Sequence, residues 1–180
     1  MADVSDAVSA LKRGDYESAY QEFHALAEHG DTKAMVTIGM FFYKGEGFSQ
    51  DYGKAMDWFL KAMALGNGDA YNNIGVMYRD GLGVEVNRAI AYDLFLIVHM
   101  KGMGSQSTQS RANRNLRREV SELSDDKIEY ALCLSESQVI GFVKERGKML
   151  AHTIDTSGPH VAIKDREWWL DGELPSFDCP

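Results

Sequence analysis

The feature of this sequence that most constrains its fold is a period of 36 residues in the first hundred positions. Four positions recur three times at this spacing: Gly30, Gly66 and Gly102; Asp15, Asp51 and Asn87; Ala19, Ala55 and Ala91; Phe23, Phe59 and Phe95. A fixed period in the thirties is typical of a solenoid, in which each unit packs against its neighbours in the chain. The sequence therefore predicts an array of stacked repeats.

Each period carries the pattern of a helical hairpin. After Asp51, apolar or small residues follow at the spacing of one helix face: Ala55, Trp58, Phe59, Ala62 and Met63. The carboxylate of Asp51 suits the helix N-cap, and Gly66 suits the left-handed residue that ends the helix. Two Gly-x-Gly pairs predict the turn between the two helices of a unit: Gly45 with Gly47, and Gly81 with Gly83.

Two glycines interrupt the helical pattern at equivalent positions, Gly39 and Gly75. Glycine inside a helix costs about 1 kcal/mol relative to alanine. Because the same cost recurs in two units, we expect a neighbouring helix to approach so closely that a side chain would block it.

Two stretches of the chain resemble the Sel-one-like repeat, a relative of the tetratricopeptide repeat. They read AMVTIGMFFYKGEGFSQDYGKAMDWFLKAMALG and AYNNIGVMYRDGLGVEVNRAIAYDLFLIVHMKG. The resemblance implies a right-handed α/α solenoid of antiparallel helix pairs, whose first helices line a concave groove. It also implies an adaptor or scaffold function, since members of the family mostly act so, and in bacteria some serve secretion, virulence or toxin-immunity systems.

The expected organisation is all-α, followed by an irregular tail. Residues 1–103 hold the repeats, with an abbreviated unit at about 5–30 and full units at 31–66 and 67–102. The 36-residue phase is lost after Gly102, so residues 104–149 are predicted to form degenerate capping helices, at about 106–122, 125–134 and 136–148. Residues 150–180 are predicted to form an extended tail with a small hairpin.

Composition excludes several classes of function. The formal net charge of −8 argues against a main role in holding nucleic acid or an anionic membrane. Two cysteines cannot build a disulfide framework, and no secretory signal or membrane span is visible, so we expect a cytoplasmic protein. The sequence has no phosphate-binding loop, HExxH motif or Cys/His cluster. We therefore expect no catalytic residue, cofactor or metal.

The candidate partner-binding residues lie beside the core line of the first helix in each full unit. Helical geometry places eight side chains there: Thr37, Met40, Phe41, Lys44, Asn73, Val76, Met77 and Asp80. Several are more apolar than a solvated face requires, which favours a groove that grips an extended segment or a helix of a partner. Partial burial against neighbouring helices is the alternative.

A second candidate contact lies beyond the repeats. Arg111, Arg114 and Arg118 are predicted to form one basic face opposite a stripe of Ala112, Leu116 and Val120, with Arg117 close by. A solvated helix face is the alternative reading of these arginines. Trp168 and Trp169 either pack on the solenoid itself or anchor a partner or a second copy of the chain.

These observations predict a non-catalytic module that binds another protein through the groove. The acidic charge suggests a basic partner, such as a secretion component or a toxin, and a bacterial immunity protein is the narrower hypothesis. Two alternatives remain open. One is an enzyme with an unrecognised site in the C-terminal region, where His152 and His160 lie, and the other is RNA binding through the arginine face.

Overall fold

The computed structural model describes residues 4–124 and residue 128 of the 180. Within 4–124 the chain forms seven α-helices and no strand. Their bounds are α1 (Val4–Lys12), α2 (Tyr16–Glu28), α3 (Thr32–Lys44), α4 (Tyr52–Ala64), α5 (Gly68–Asp80), α6 (Arg88–Lys101) and α7 (Gln106–Glu122).

Consecutive helices pack as pairs, α1 with α2, α3 with α4, and α5 with α6. Each pair then contacts the next through α2 and α3 or through α4 and α5, and α7 packs on both α6 and α5. The predicted all-α repeat solenoid is confirmed. One continuous apolar core runs through all the units, from Ala7 in α1 to Ala112 in α7.

Helix caps recur with the predicted period. The side chains of Asp15, Asp51 and Asn87 accept hydrogen bonds from the third residue of α2, α4 and α6, at 3.1, 2.9 and 3.1 Å. These bonds satisfy amides that would otherwise lack a partner at the helix start. The predicted glycines follow the last turn of the same helices in the left-handed region, with φ of 88° at Gly30, 78° at Gly66 and 58° at Gly102.

The mid-helix glycines bring the two helices of a unit into close contact, as predicted. A Cβ added at Gly39 would lie 2.4 Å from the Phe59 ring, and one added at Gly75 would lie 2.5 Å from the Phe95 ring. Both rings are fully buried. Each glycine of the first helix therefore provides the space into which a phenylalanine of the second helix packs.

The repeat continues into α7 with a shift of two residues. The N-caps of α3, α5 and α7 are Asp31, Asn67 and Ser105, so the spacing is 36 residues and then 38. With this shift, the buried Thr108 and Ala112 occupy the places of Ala70 and Ile74. Helix α7 thus lies beside α5 as a further first helix.

The bounds predicted for the first capping helix agree with those of α7, Gln106–Glu122. The predicted helices at 125–134 and 136–148 fall outside the described residues, as do the tail and its hairpin.

The predicted apolar stripe of α7 is wrong at one end, because Val120 is 48% exposed. Glu119 is fully buried in its place. At 100° per residue, position 119 returns to within about 20° of Ala112, whereas position 120 is rotated by about 80°. The buried side of α7 therefore has a carboxylate, that of Glu119, at its C-terminal end.

A second acidic side chain is buried in α6. Asp93 is 4% exposed, and its Oδ2 atom has no hydrogen-bond partner in the part of the chain that the structure describes. Burial raises the pKa of Asp93 to about 8.

We expect Gly75→Ala to destabilise the protein, although alanine is the better helix former. The added methyl group would overlap the Phe95 ring and lower the free energy of unfolding by about 1–3 kcal/mol. Urea denaturation measures this change. Adding Phe95→Leu should recover part of the loss by making room, and a Gly75→Ala variant more stable than wild type would contradict the packing.

We expect Asp93→Asn to change how stability depends on pH. The raised pKa means that the unfolded chain ionises from about 3.8 upward while the folded chain keeps its proton until about 8. The Asp93 carboxyl group therefore lowers the free energy of unfolding of the wild type as the pH rises from about 3.8 to about 8. The stability gain of the variant should grow between pH 4 and 8, by at least about 1 kcal/mol, and then level off.

The control for this measurement is Asp57→Asn, one period earlier, where partial burial raises the pKa of the carboxyl group and Lys61 opposes that rise. Thermal melts across the pH range should show a smaller effect there. If the stability difference between Asp93→Asn and wild type did not change with pH, the raised pKa of Asp93 would be contradicted.

Candidate functional site

Six of the eight predicted groove residues have side chains at the surface. Thr37, Met40, Asn73 and Val76 are partly buried, whereas Lys44 and Asp80 are exposed. The Asn73 amide approaches the Met40 sulfur at 3.7 Å, so side chains of α3 and α5 touch at this point of the surface.

The prediction is wrong for Phe41 and Met77, which are 2% and 0% exposed. Phe41 packs against Tyr16 and Phe23 of the preceding unit, with ring centroids 5.8 and 6.1 Å apart. Each first helix contacts its own second helix on one side and the preceding unit on another, so its apolar arc is wider than one face. Phe41 belongs to that second contact, and Met77 is buried at the equivalent position one period later, so neither side chain is available to a partner.

The arginines of α7 continue the same surface. With the two-residue shift, Arg111 takes the place of Thr37 and Asn73, and Arg114 that of Met40 and Val76. By the same shift Arg118 takes the place of Lys44 and Asp80. We call this surface the first-helix face, formed by Thr37, Met40, Lys44, Asn73, Val76, Asp80, Arg111, Arg114 and Arg118. The two predicted sites are therefore one surface.

Polar contacts hold α7 against α5 in this register. The buried Asn72 donates through Nδ2 to the Thr108 carbonyl at 3.1 Å, and Arg79 donates to Oδ1 of Asn115, also at 3.1 Å. Both contacts join residues 36 apart, which requires the two helices to run parallel. At the N-terminal end, Asp69 accepts from the Thr108 hydroxyl at 2.9 Å.

A cleft of about 240 Å³ opens between α5 and α7. It is lined by Asn72, Asn73, Val76, Arg111, Arg114 and Asn115. Of these, Asn73, Val76, Arg111 and Arg114 were predicted as contact residues, whereas Asn72 and Asn115 were not. The period would have indicated Asn115 only if the two extra residues before α7 had been recognised.

The charges around the cleft are only partly neutralised. Arg79 forms two hydrogen bonds with Asp80, at 2.6 and 2.7 Å, and these lower the pKa of that carboxyl group. Arg111 pairs with Asp69 at the other end. Arg114 is exposed and forms no ion pair within residues 4–124, whereas the charge of Arg118, which is also exposed, helps to lower the pKa of Asp80.

Sequence reasoning missed a buried ion pair behind the cleft. Glu119 accepts from Arg88 of α6 at 3.4 Å. Burial raises the pKa of Glu119, whereas Arg88 acts in the opposite direction. A charged residue in an amphipathic helix gives no signal of burial, so only the register of α7 could have identified this pair.

Other predicted features cannot be placed on this surface. Trp168, Trp169, His152 and His160 lie outside the described residues. Over the described part of the chain, no group of His, Cys, Asp and Glu residues is arranged to hold a metal ion. In that same part, no helix is both long and apolar enough to span a membrane.

Comparison with known proteins agrees with the geometry of the repeats. The Sel1 repeat family matches residues 32–67 and 68–97, which include the helix pairs α3/α4 and most of α5/α6. The chain contains two Sel1 repeats. Proteins with Sel1 repeats bind other proteins.

Two curated relatives share this repeated segment. Both are ERAD-associated E3 ubiquitin-protein ligase components of Arabidopsis thaliana, HRD3A and HRD3B, and each is 36% identical, over 72 and 74 residues. The aligned segments cover 39% and 41% of this chain but only 11% of each relative. The chain therefore resembles only a small part of each relative and not the whole protein.

A solved structure supports the fold over a longer range. The protective antigen c5321 of uropathogenic Escherichia coli, which displays an SLR fold, aligns with a TM-score of 0.62 at 19% identity. The alignment covers 88% of this chain and 32% of that one. At this identity the likeness concerns the fold, and it agrees with the all-α solenoid of the described residues.

Proposed function

We propose that this protein is a non-catalytic module that binds another protein through the first-helix face. The observation that carries the proposal is the alignment of α3, α5 and α7, which places equivalent side chains of three units side by side. These side chains are at the surface, whereas the core positions beside them are filled and buried.

The mechanism follows from the rigidity of the scaffold. Capped helices and the buried glycine–phenylalanine contacts fix the face before a partner arrives, so little ordering is needed on binding. The cleft between α5 and α7 has room for one or two side chains of a partner and not for a folded domain. An extended segment or a single helix is therefore the form of partner that fits.

A bacterial immunity protein that covers a cytoplasmic toxin is a narrower form of this proposal. Its support is the net charge of −8, which would attract a basic toxin over the rest of the surface. The test is to co-express this protein with a toxin encoded by a neighbouring gene. Survival of the cells would support the immunity hypothesis, and the absence of both survival and a complex of the two proteins would contradict it. The alternative of an enzyme site at His152 and His160 has no structural support, because both residues lie outside the described part of the chain.

We expect Val76→Tyr to reduce partner binding by at least about tenfold, because the larger ring would fill the cleft without changing its charge. Capture of proteins from a native lysate by the full chain, followed by mass spectrometry, measures the loss. Thermal melting should stay within a few degrees of wild type, since Val76 is only partly buried and borders the open cleft.

The matched control is Val86→Tyr, which makes the same change at a valine that is 60% exposed in the turn before α6. A partner retained by wild type and by the Val86 variant but lost with Val76→Tyr supports the first-helix face. The same proteins captured by all three chains would contradict it.

A further inference from the structure

We propose that the cleft between α5 and α7 binds the carboxylate of an Asp or Glu side chain in an extended acidic segment of a partner protein. This inference rests on the proposed function, because it assigns a chemical class to the partner of the same face. It also separates this site from the rest of the surface, where the net charge of −8 favours basic partners.

The cleft between α5 and α7 carries an excess of positive charge. Two guanidinium groups line it, those of Arg111 and Arg114, and the nearby carboxylates are Asp69, which pairs with Arg111, and Asp80, which pairs with Arg79. Each carboxylate already pairs with one arginine. The positive charge of Arg114, inside the cleft, is therefore left without a partner in the region that the structure describes.

The geometry of the donors points to a carboxylate. Arg111 and Arg114 are three residues apart, so they project from one side of α7, about one turn from each other. A guanidinium group binds a carboxylate through two parallel N–H donors, which fixes both its position and its orientation. A carboxylate that enters between the two arginines would complete the pairing that Asp69 provides only for Arg111.

The amides of the cleft suit the main chain on either side of that carboxylate. Asn115 uses its Oδ1 atom to accept from Arg79, so its NH₂ group remains available as a donor. Asn73 donates only a long contact to the Met40 sulfur, so its amide oxygen remains available as an acceptor. An extended peptide presents both carbonyl and N–H groups, which match this donor and acceptor.

The cleft is poorly suited to RNA, the other polyanion that could pair with arginines. Single-stranded RNA sites stack bases on aromatic side chains, and none of the six lining residues is aromatic. A chain of net charge −8 would also repel a long phosphate backbone beyond the cleft.

The test uses the full chain as bait for a displayed library of random dodecapeptides, with Arg114→Gln and Arg117→Gln as matched variants. Arg117 is an exposed arginine of the same helix that does not line the cleft. We expect wild type and Arg117→Gln to enrich peptides that contain Asp or Glu. We expect Arg114→Gln to bind the enriched peptides at least about tenfold more weakly.

The outcomes separate this inference from the proposed function. Enriched peptides that are neutral or basic, and whose binding is lost with Val76→Tyr, would support the face and overturn the carboxylate assignment. Binding of acidic peptides that is weakened equally by Arg114→Gln and Arg117→Gln would also overturn it. Failure to enrich any peptide that depends on Val76 would contradict the proposed function itself.

A parallel arm offers the same bait a pool of random single-stranded RNA. Selection of RNA that depends on Arg114, without selection of acidic peptides, would overturn the assignment in favour of nucleic acid. Arg114→Gln and Arg117→Gln should both melt like wild type, since neither arginine side chain forms a hydrogen bond or an ion pair among the residues described.

Discussion

The close contact between a glycine of one helix and a phenylalanine of the next determines the rest of this structure. In two successive units the buried ring of the second helix lies where a Cβ of the first helix would be. This contact sets the distance between the helices of a pair, and the pair is the unit that repeats. Because the same pair is stacked each time, equivalent faces of successive first helices come to lie side by side.

The first-helix face is a product of that stacking and has no counterpart in a single helix. Each first helix contributes three of its members, and equivalent members of successive helices are 36 or 38 residues apart in sequence. The two additional residues before α7 displace its sequence pattern without displacing the helix from the array, as the contacts of α7 with Asn72 and Arg79 demonstrate. As a result, three arginines occupy the positions that hold neutral or mixed side chains in the earlier units. A protein with an acidic surface thereby gains one locally basic cleft.

Much of the fold could be predicted from the sequence because its determinants recur. The caps at Asp15, Asp51 and Asn87, the glycines that end the helices, and the close approach at Gly39 and Gly75 were all visible as a period. What could not be predicted depends on contacts between units. Phe41 appears surface-directed when its helix is considered with one neighbouring helix, but it packs against the preceding unit, and Met77 is buried at the equivalent position. Glu119 is buried only because α7 is placed beside Arg88. The groove residues and the arginine face are recognised as one surface only when the two extra residues before α7 are taken into account. A strict period of 36 residues does not reveal them.

The most direct test of this account is an NMR titration of the full chain that observes the arginine side-chain Nε–H signals. The probe is an acetylated penta-aspartate peptide, which supplies carboxylates without any other recognition feature. If the cleft between α5 and α7 is the binding site, the signals of Arg111 and Arg114 will shift together and saturate, whereas that of Arg117 will remain in place. Equal shifts at Arg117, or no shift at Arg114 at saturating peptide, would contradict the account.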